Sequence, residues 1–182
     1  MQDLLRRIQY EHDETAFEAF YRSHVFKLFQ FAYVFVQNRE LAEEIVNDVF
    51  LKLWQQRSRI DRIENLSVYL YVAVKNTASN YLRKVKTYAH DELVVQHFYL
   101  SPDPEQLMMT GELKRKIEQS IDRLPPRCKL IFKLVKEDGL SFEEVASILD
   151  ISYKTVTTQM TIALRKLEEL LRPNLQQHRI KI

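Results

Sequence analysis

SFEEVASILDISYKTVTTQMTIALRKLEELL, residues 141–171, holds two helical periods separated by a three-residue interruption. Ser141 followed by Glu144 is the pattern of a capping box, and Val145, Ala146, Ile148 and Leu149 then recur at helical spacing. Asp150-Ile151-Ser152 breaks the pattern, and Ser152 is a suitable N-cap for a second helix running through Leu171. At 100° per residue Val156, Met160, Ala163 and Leu167 share one stripe. Lys154, Thr158, Thr161 and Arg165 share the opposite one, with Thr157 beside them. Small Ala146 lets two helices approach closely and Ile151 plugs the turn, as a steeply crossed helix-turn-helix requires. Asp150 stands where such turns often carry Gly, and Asp tolerates a left-handed backbone better than most residues. Periodicity alone fits an ordinary helical hairpin equally well. Two features favour a nucleic-acid face: no acid occurs from Ile151 to Leu167, and the outward stripe is rich in Thr, whose hydroxyl and methyl suit base edges in a major groove.

Working outward, the 182 residues include only two glycines, and long helical periods with no competing strand-period segment predict an all-α protein. Ser101-Pro102-Asp103-Pro104 and the loss of periodicity around it predict a flexible linker at 97–111 between two small helical domains, 1–96 and 112–182. In the second domain an amphipathic helix from Glu112 to Leu124 and a break at Pro125-Pro126 precede the helix-turn-helix. In the first, a helix from about Glu14 to Val36 offers Phe17, Phe20, Tyr21, Phe31 and Phe35 to a core. A second starts near Asn38 with a wide apolar stripe, Leu41, Ala42, Ile45, Val46, Val49, Phe50, Leu53 and Trp54, and should pack antiparallel to the first. Gln55 to Glu64 lacks helical support and reads as a loop. A third helix, capped near Asn65 or Ser67, buries Tyr71, Val74, Ala78, Leu82 and Val85 and turns Tyr69, Asn76, Asn80 and Arg83 outward. Amides and guanidinium groups can bond base edges and phosphates, and Tyr can stack on an unpaired base; the bland alternative is a solvated helix face.

Net charge is only +2, far from that of a protein that grips nucleic acid by bulk electrostatics. Its placement is informative: Asn65 to His90 carries Lys75, Arg83, Lys84 and Lys86 and no acid, whereas Glu40, Glu43, Glu44 and Asp48 crowd the second helix. The single cysteine, Cys128, reads as a small core residue, which fits a reduced, cytoplasmic chain. The sequence carries neither a signal-peptide core nor an apolar run of membrane-spanning length. A Gly-rich phosphate loop, metal-ligand spacing and a nucleophile with a placed base are missing, so an enzyme, a bound cofactor, a metal or a small-molecule substrate is not expected.

Together these segments resemble an extracytoplasmic-function sigma factor, the minimal two-domain class of bacterial sigma-70 initiation factors. Ala42-Glu43-Glu44-Ile45-Val46-Asn47-Asp48-Val49-Phe50 is similar to the family's polymerase-binding helix, which usually has Asp and Gln where Glu44 and Asn47 stand. Tyr69-Leu70-Tyr71 with Asn76-Thr77-Ala78-Ser79-Asn80-Tyr81-Leu82 resembles its helix for the minus-ten promoter element, Tyr69 replacing the usual Trp. Leu124-Pro125, Leu140 to Ala146 and Thr155-Val156 resemble its domain for the minus-thirty-five element. The resemblance implies that Glu44, Asn47, Asp48 and Leu51 face the clamp helices of the largest subunit of core RNA polymerase. It implies a minus-ten DNA surface of Ile60, Arg62, Asn65, Tyr69, Lys75, Asn76, Asn80, Arg83 and Lys84, in which the segment from Gln56 to Asn65 captures a flipped base. It implies a minus-thirty-five surface of Ser152, Lys154, Thr155, Thr157, Thr158, Thr161 and Arg165. Promoter DNA, core polymerase and an anti-sigma factor are the implied partners. Family members often have basic residues where Thr157, Gln159 and Ile162 stand, so phosphate affinity here should be weak. A free-standing helix-turn-helix regulator, dimeric on two half-sites, is the main rival reading, and a helical adaptor a more distant one.

Overall fold

A computed structural model describes residues 2–86 and 112–179, and the chain divides into two compact units. The expected linker at 97–111 lies outside the described residues, as do the side chains of Val85 and Lys86. All regular structure among the described residues is helical, as the scarcity of glycine and the 3.6-residue periodicity demand.

The first unit contains α1 (Gln2–Tyr10), α2 (Glu14–Val36), α3 (Arg39–Gln55), a 3-10 segment (Arg57–Arg62) and α4 (Leu66–Lys86). The three long helices each start at a capping side chain. Asp13 caps α2 by accepting from the Ala16 amide, Asn38 caps α3 by accepting from Leu41, and Asn65 caps α4 by accepting from Val68 at 3.0 Å. Gln37, in the left-handed region at φ 49, closes α2 and reverses the chain into α3. α2 packs on α3 and α4, and α3 packs on α4. Ala42, Ile45, Val46, Leu70, Val74 and Ala78 are essentially sealed from solvent there. Phe50 meets Phe17, Phe20 and Tyr21 at edge-on angles, and Phe31 meets Tyr71 in the same way, so the aromatic load of α2 is largely spent on the core.

Two features depart from the sequence reading. α1 was not among the expected helices; Ile8 is wholly buried, and Arg7 grips Asp13 through Nε and Nη2 at 3.0 and 2.6 Å. The interval Gln55 to Glu64, expected as a loop, contains the 3-10 segment, which is pinned by buried Ile60.

The second unit contains α5 (Glu112–Asp122), α6 (Pro126–Lys136), α7 (Phe142–Leu149) and α8 (Tyr153–Arg179). Pro126 stands at the start of α6, where a missing N–H costs nothing. α8 is the spine, packing on α5, α6 and α7, and its expected inner stripe is buried in full: Val156, Met160, Ala163 and Leu167. Cys128 joins that core, with Sγ donating to Oε1 of Gln159 at 2.9 Å, and burial pushes its thiol pKa up. Lys129 is an unexpected core member: its Nζ lies 2.7 Å from Oδ1 of Asp122 but is not aligned with it as a hydrogen bond.

Candidate nucleic-acid and polymerase interfaces

Three surfaces emerge from these helices. The first is the outer face of α3. Burying Ala42, Ile45, Val46, Val49 and Leu53 forces Glu43, Glu44, Asn47 and Leu51 outward, with Asp48 half-buried beside them. Two neighbours fix this polar row. The Tyr21 hydroxyl donates to Asn47 Oδ1 at 2.9 Å from α2, and the Tyr81 hydroxyl donates to Glu44 Oε1 at 2.7 Å from α4. Accepting that bond, the Glu44 carboxylate raises the Tyr81 pKa above the usual phenol range; desolvation and then the charges of Glu44 and Asp48 push the same way. Leu51 is 54% exposed, a large apolar side chain standing in water beside an acidic row. The expected set Glu44, Asn47, Asp48 and Leu51 therefore occurs on one helix face; Tyr21, expected only as a core residue, and Tyr81, quoted only within the minus-ten motif, hold it.

The second surface combines α4 with the 3-10 segment. Asn76, Asn80, Arg83 and Lys84 are exposed, while Tyr69 and Lys75 are half-buried. Asn80 Oδ1 accepts from Nη2 of Arg83 at 3.2 Å, which joins two members of the outward stripe. Arg62 is exposed, and Asn65 is exposed with its side-chain oxygen committed to the helix cap. Ile60 does not belong to this surface: at 4% exposure its side chain is a core anchor, and the expectation that it touches DNA is corrected on that ground. The resemblance implies a contact at Ile60; in the structure this residue is the apolar pin that lets a short 3-10 segment hold its shape. The segment is further braced from α1 and its exit. Gln9 Nε2 donates to the Ser58 carbonyl at 3.1 Å, and Arg57 donates to Nδ1 of His12 and to the Trp54 carbonyl while lying 4.5 Å over the Trp54 ring. No periodicity advertised Gln9 and His12, because their partners lie 45 or more residues away.

The third surface is the helix-turn-helix. The capping box at Ser141 is complete: its Oγ accepts from the Glu144 amide at 3.2 Å and Glu144 Oε2 accepts from the Ser141 amide at 2.7 Å. Asp150 occupies the turn at φ 55 and ψ 52, with its N–H directed to the carbonyls of Ala146 and Ser147, so the left-handed conformation expected of the absent Gly is met by Asp. Ile151 is half-buried in the turn. Ser152 Oγ accepts from the Thr155 amide at 3.0 Å, which starts α8 as expected. Lys154, Thr157, Thr158, Thr161 and Arg165 are exposed together with Ser152, and Thr155 is half-buried. Tyr153 and Leu164, each about half exposed, border the Thr-rich face and add apolar area that the sequence stripe did not include.

Comparisons with known proteins identify the family. The chain matches sigma-70 region 2 over residues 20–87 and sigma-70 region 4 over residues 114–167. It is 25% identical to the ECF RNA polymerase sigma-E factor of Escherichia coli K12 over 182 residues, covering 94% of each chain. It is 23% identical to the RNA polymerase sigma-H factor of Pseudomonas aeruginosa, covering 97% of this chain and 96% of that one. Among solved structures it shares its fold with CnrH, seen in complex with the cytosolic domain of CnrY, at a TM-score of 0.54 and 20% identity over 93% of this chain and 96% of that one. It also shares it with the sigma factor RpoE of Bartonella quintana, seen with the anti-sigma factor NepR, at a TM-score of 0.56 and 20% identity over 85% and 98% of the two chains. With the acidic helix and its neighbour inside the first match and the capped helix-turn-helix inside the second, the chain belongs to the extracytoplasmic-function branch of the sigma-70 family.

Proposed function

We propose that the chain brings core RNA polymerase to promoters through a division of labour among its three surfaces, acting as a binding subunit and not as an enzyme. The observation that carries this reading is the coexistence of an outward acidic row on α3 with an acid-free outward stripe on α4 and on the groove-facing part of α8. DNA repels the first, so a protein surface is its natural partner: Glu44, Asn47, Asp48 and Leu51 meet the clamp helices of the largest polymerase subunit. Asn76, Asn80, Arg83, Lys84, Arg62, Asn65, Tyr69 and Lys75 engage the minus-ten element, and the 3-10 segment beside them receives a base unstacked from the melted strand. Unstacking costs a few kcal/mol, which stacking and amide contacts offset. Lys154, Thr155, Thr157, Thr158, Thr161 and Arg165, with Ser152 at the helix start, lie in the major groove of the minus-thirty-five element.

The minus-ten surface supplies four cations and the minus-thirty-five surface two, so each grip is weak alone; non-specific DNA dissociation constants are typically about 10⁻⁴ to 10⁻⁶ M. Mounting both units on one polymerase makes the second contact intramolecular and raises its effective concentration, so selectivity arises in the holoenzyme. One solved structure of this fold is seen with the anti-sigma factor NepR and another with the cytosolic domain of CnrY; an anti-sigma factor that covers this chain's surfaces in the cytoplasm is the corresponding partner here. Run-off transcription with the chain added to core enzyme is the test, with Asn80→Ala lowering open-complex formation and sparing core binding. Absence of transcripts above background, with tight binding of a palindrome by the isolated chain, would establish the free-standing regulator instead.

A further inference from the structure

The hydroxyls of the Thr-rich face are turned inward. Thr157 Oγ1 donates to the Tyr153 carbonyl at 3.1 Å, Thr158 Oγ1 to the Lys154 carbonyl at 2.8 Å, and Thr161 Oγ1 to the Thr157 carbonyl at 2.9 Å. A hydroxyl has one proton and two lone pairs, so a hydroxyl spent on its own helix has only acceptor capacity left. The same bond fixes χ1 and therefore the direction of the γ-methyl. Nearer the turn, the Ser152 and Thr155 hydroxyls bond each other at 2.8 Å. The long donors on this exposed face are Lys154 and Arg165, which flank the three threonines in sequence. A base edge facing the middle of α8 thus meets methyl groups and oxygen lone pairs. Guanine offers the major groove only acceptors, N7 and O6, whereas thymine sets a methyl beside its O4 acceptor, and adenine and cytosine offer amino donors.

We propose that Thr157, Thr158 and Thr161 are specificity determinants that favour thymine, by methyl contact, and disfavour guanine at the base edges they face. This rests on the reading of α8 as the helix that enters the upstream promoter element. The test uses holoenzyme reconstituted from core polymerase and the full chain, first on a promoter library randomised across that element. Recovered promoters should be depleted of guanine at the central positions. On one such promoter, deoxyuridine in place of each thymine removes a methyl and nothing else, and should weaken retention about fivefold at the contacted position. Thr157→Ser, Thr158→Ser or Thr161→Ser should weaken retention similarly and abolish the response to deoxyuridine at its own contact, whereas the corresponding Val variants should keep that response. Enrichment of guanine, or equal retention of thymine and uracil promoters at every position, would overturn the proposal and leave the upstream reading standing. A library that returns no preference anywhere in the upstream element would overturn both.

Discussion

Lys129 offers a sharp test of how the second unit is held together. Its side chain is 2% exposed, and its ammonium stands 2.7 Å from Oδ1 of Asp122, which is 42% exposed. No hydrogen bond of good geometry reaches this Nζ among the described residues, so charge attraction is what balances its removal from water. Asp122→Asn leaves the cation in place without its counter-charge. Breaking a fully buried pair costs about 3–5 kcal/mol, and water that reaches the half-open Asp122 position lowers this to about 2 kcal/mol. With a urea slope of about 1 kcal/mol/M for a unit of this size, the midpoint should fall by about 2 M. Lys129→Met keeps the length of the stem and removes the charge, and should be neutral or stabilising by about 1 kcal/mol. The double variant should resemble Lys129→Met alone, because the lost attraction has no charge left to act on. The chain's one Trp, Trp54, lies in the first unit, so its fluorescence would miss this event. The single thiol, Cys128, is 3% exposed within the affected core, and pulsed thiol labelling across a urea series reads the second unit alone. An unchanged labelling midpoint in Asp122→Asn, or a larger loss in Lys129→Met, would refute the argument and leave the packing of the Lys stem as the contribution.

Ile60→Ala should destabilise the first unit by about 2–4 kcal/mol, seen in Trp54 fluorescence during denaturation, while Arg62→Ala should leave that transition unmoved and slow open-complex formation. The Asp13 carboxyl is held below the usual carboxylate range, first by the Ala16 amide and then by Arg7. A lowered folded-state pKa means its stabilisation is complete above the ordinary Asp range and drains away as pH falls through the folded value; Asp13→Asn should therefore flatten the loss of melting temperature between about pH 5 and about pH 2. Ser141→Ala breaks the capping box and should cost the second unit about 1 kcal/mol by thiol labelling, with promoter retention by holoenzyme falling in parallel.

Legibility followed the range of the interactions. The helix-turn-helix was readable because its determinants are local: a capping box spanning three residues, a polar cap at Ser152, and a buried stripe at 3.6-residue spacing. Asn38 and Asn65 marked the starts of α3 and α4 for the same reason. α1 carries Leu4, Leu5 and Ile8 at helical spacing, but nine residues dense in charge and amide are too few to stand out, and its helix is held by Arg7 to Asp13 and by burial of Ile8 against later elements. Ile60 departs from what the resemblance implies, and a solitary apolar residue has no period to reveal its direction; only the folded chain shows that it points inward. The bonds from Tyr21 to Asn47 and from Tyr81 to Glu44 span 26 and 37 positions, and no single-sequence pattern encodes them.

Asp150 sits in the left-handed region, a conformation that costs an ordinary side chain of order 1–2 kcal/mol and glycine almost nothing. The corner therefore accepts Gly or Asn in place of Asp150 without disturbing the crossing of the two helices, and it refuses β-branched replacements however well they suit a helix. What it requires is a backbone angle, and any of three side chains can supply it.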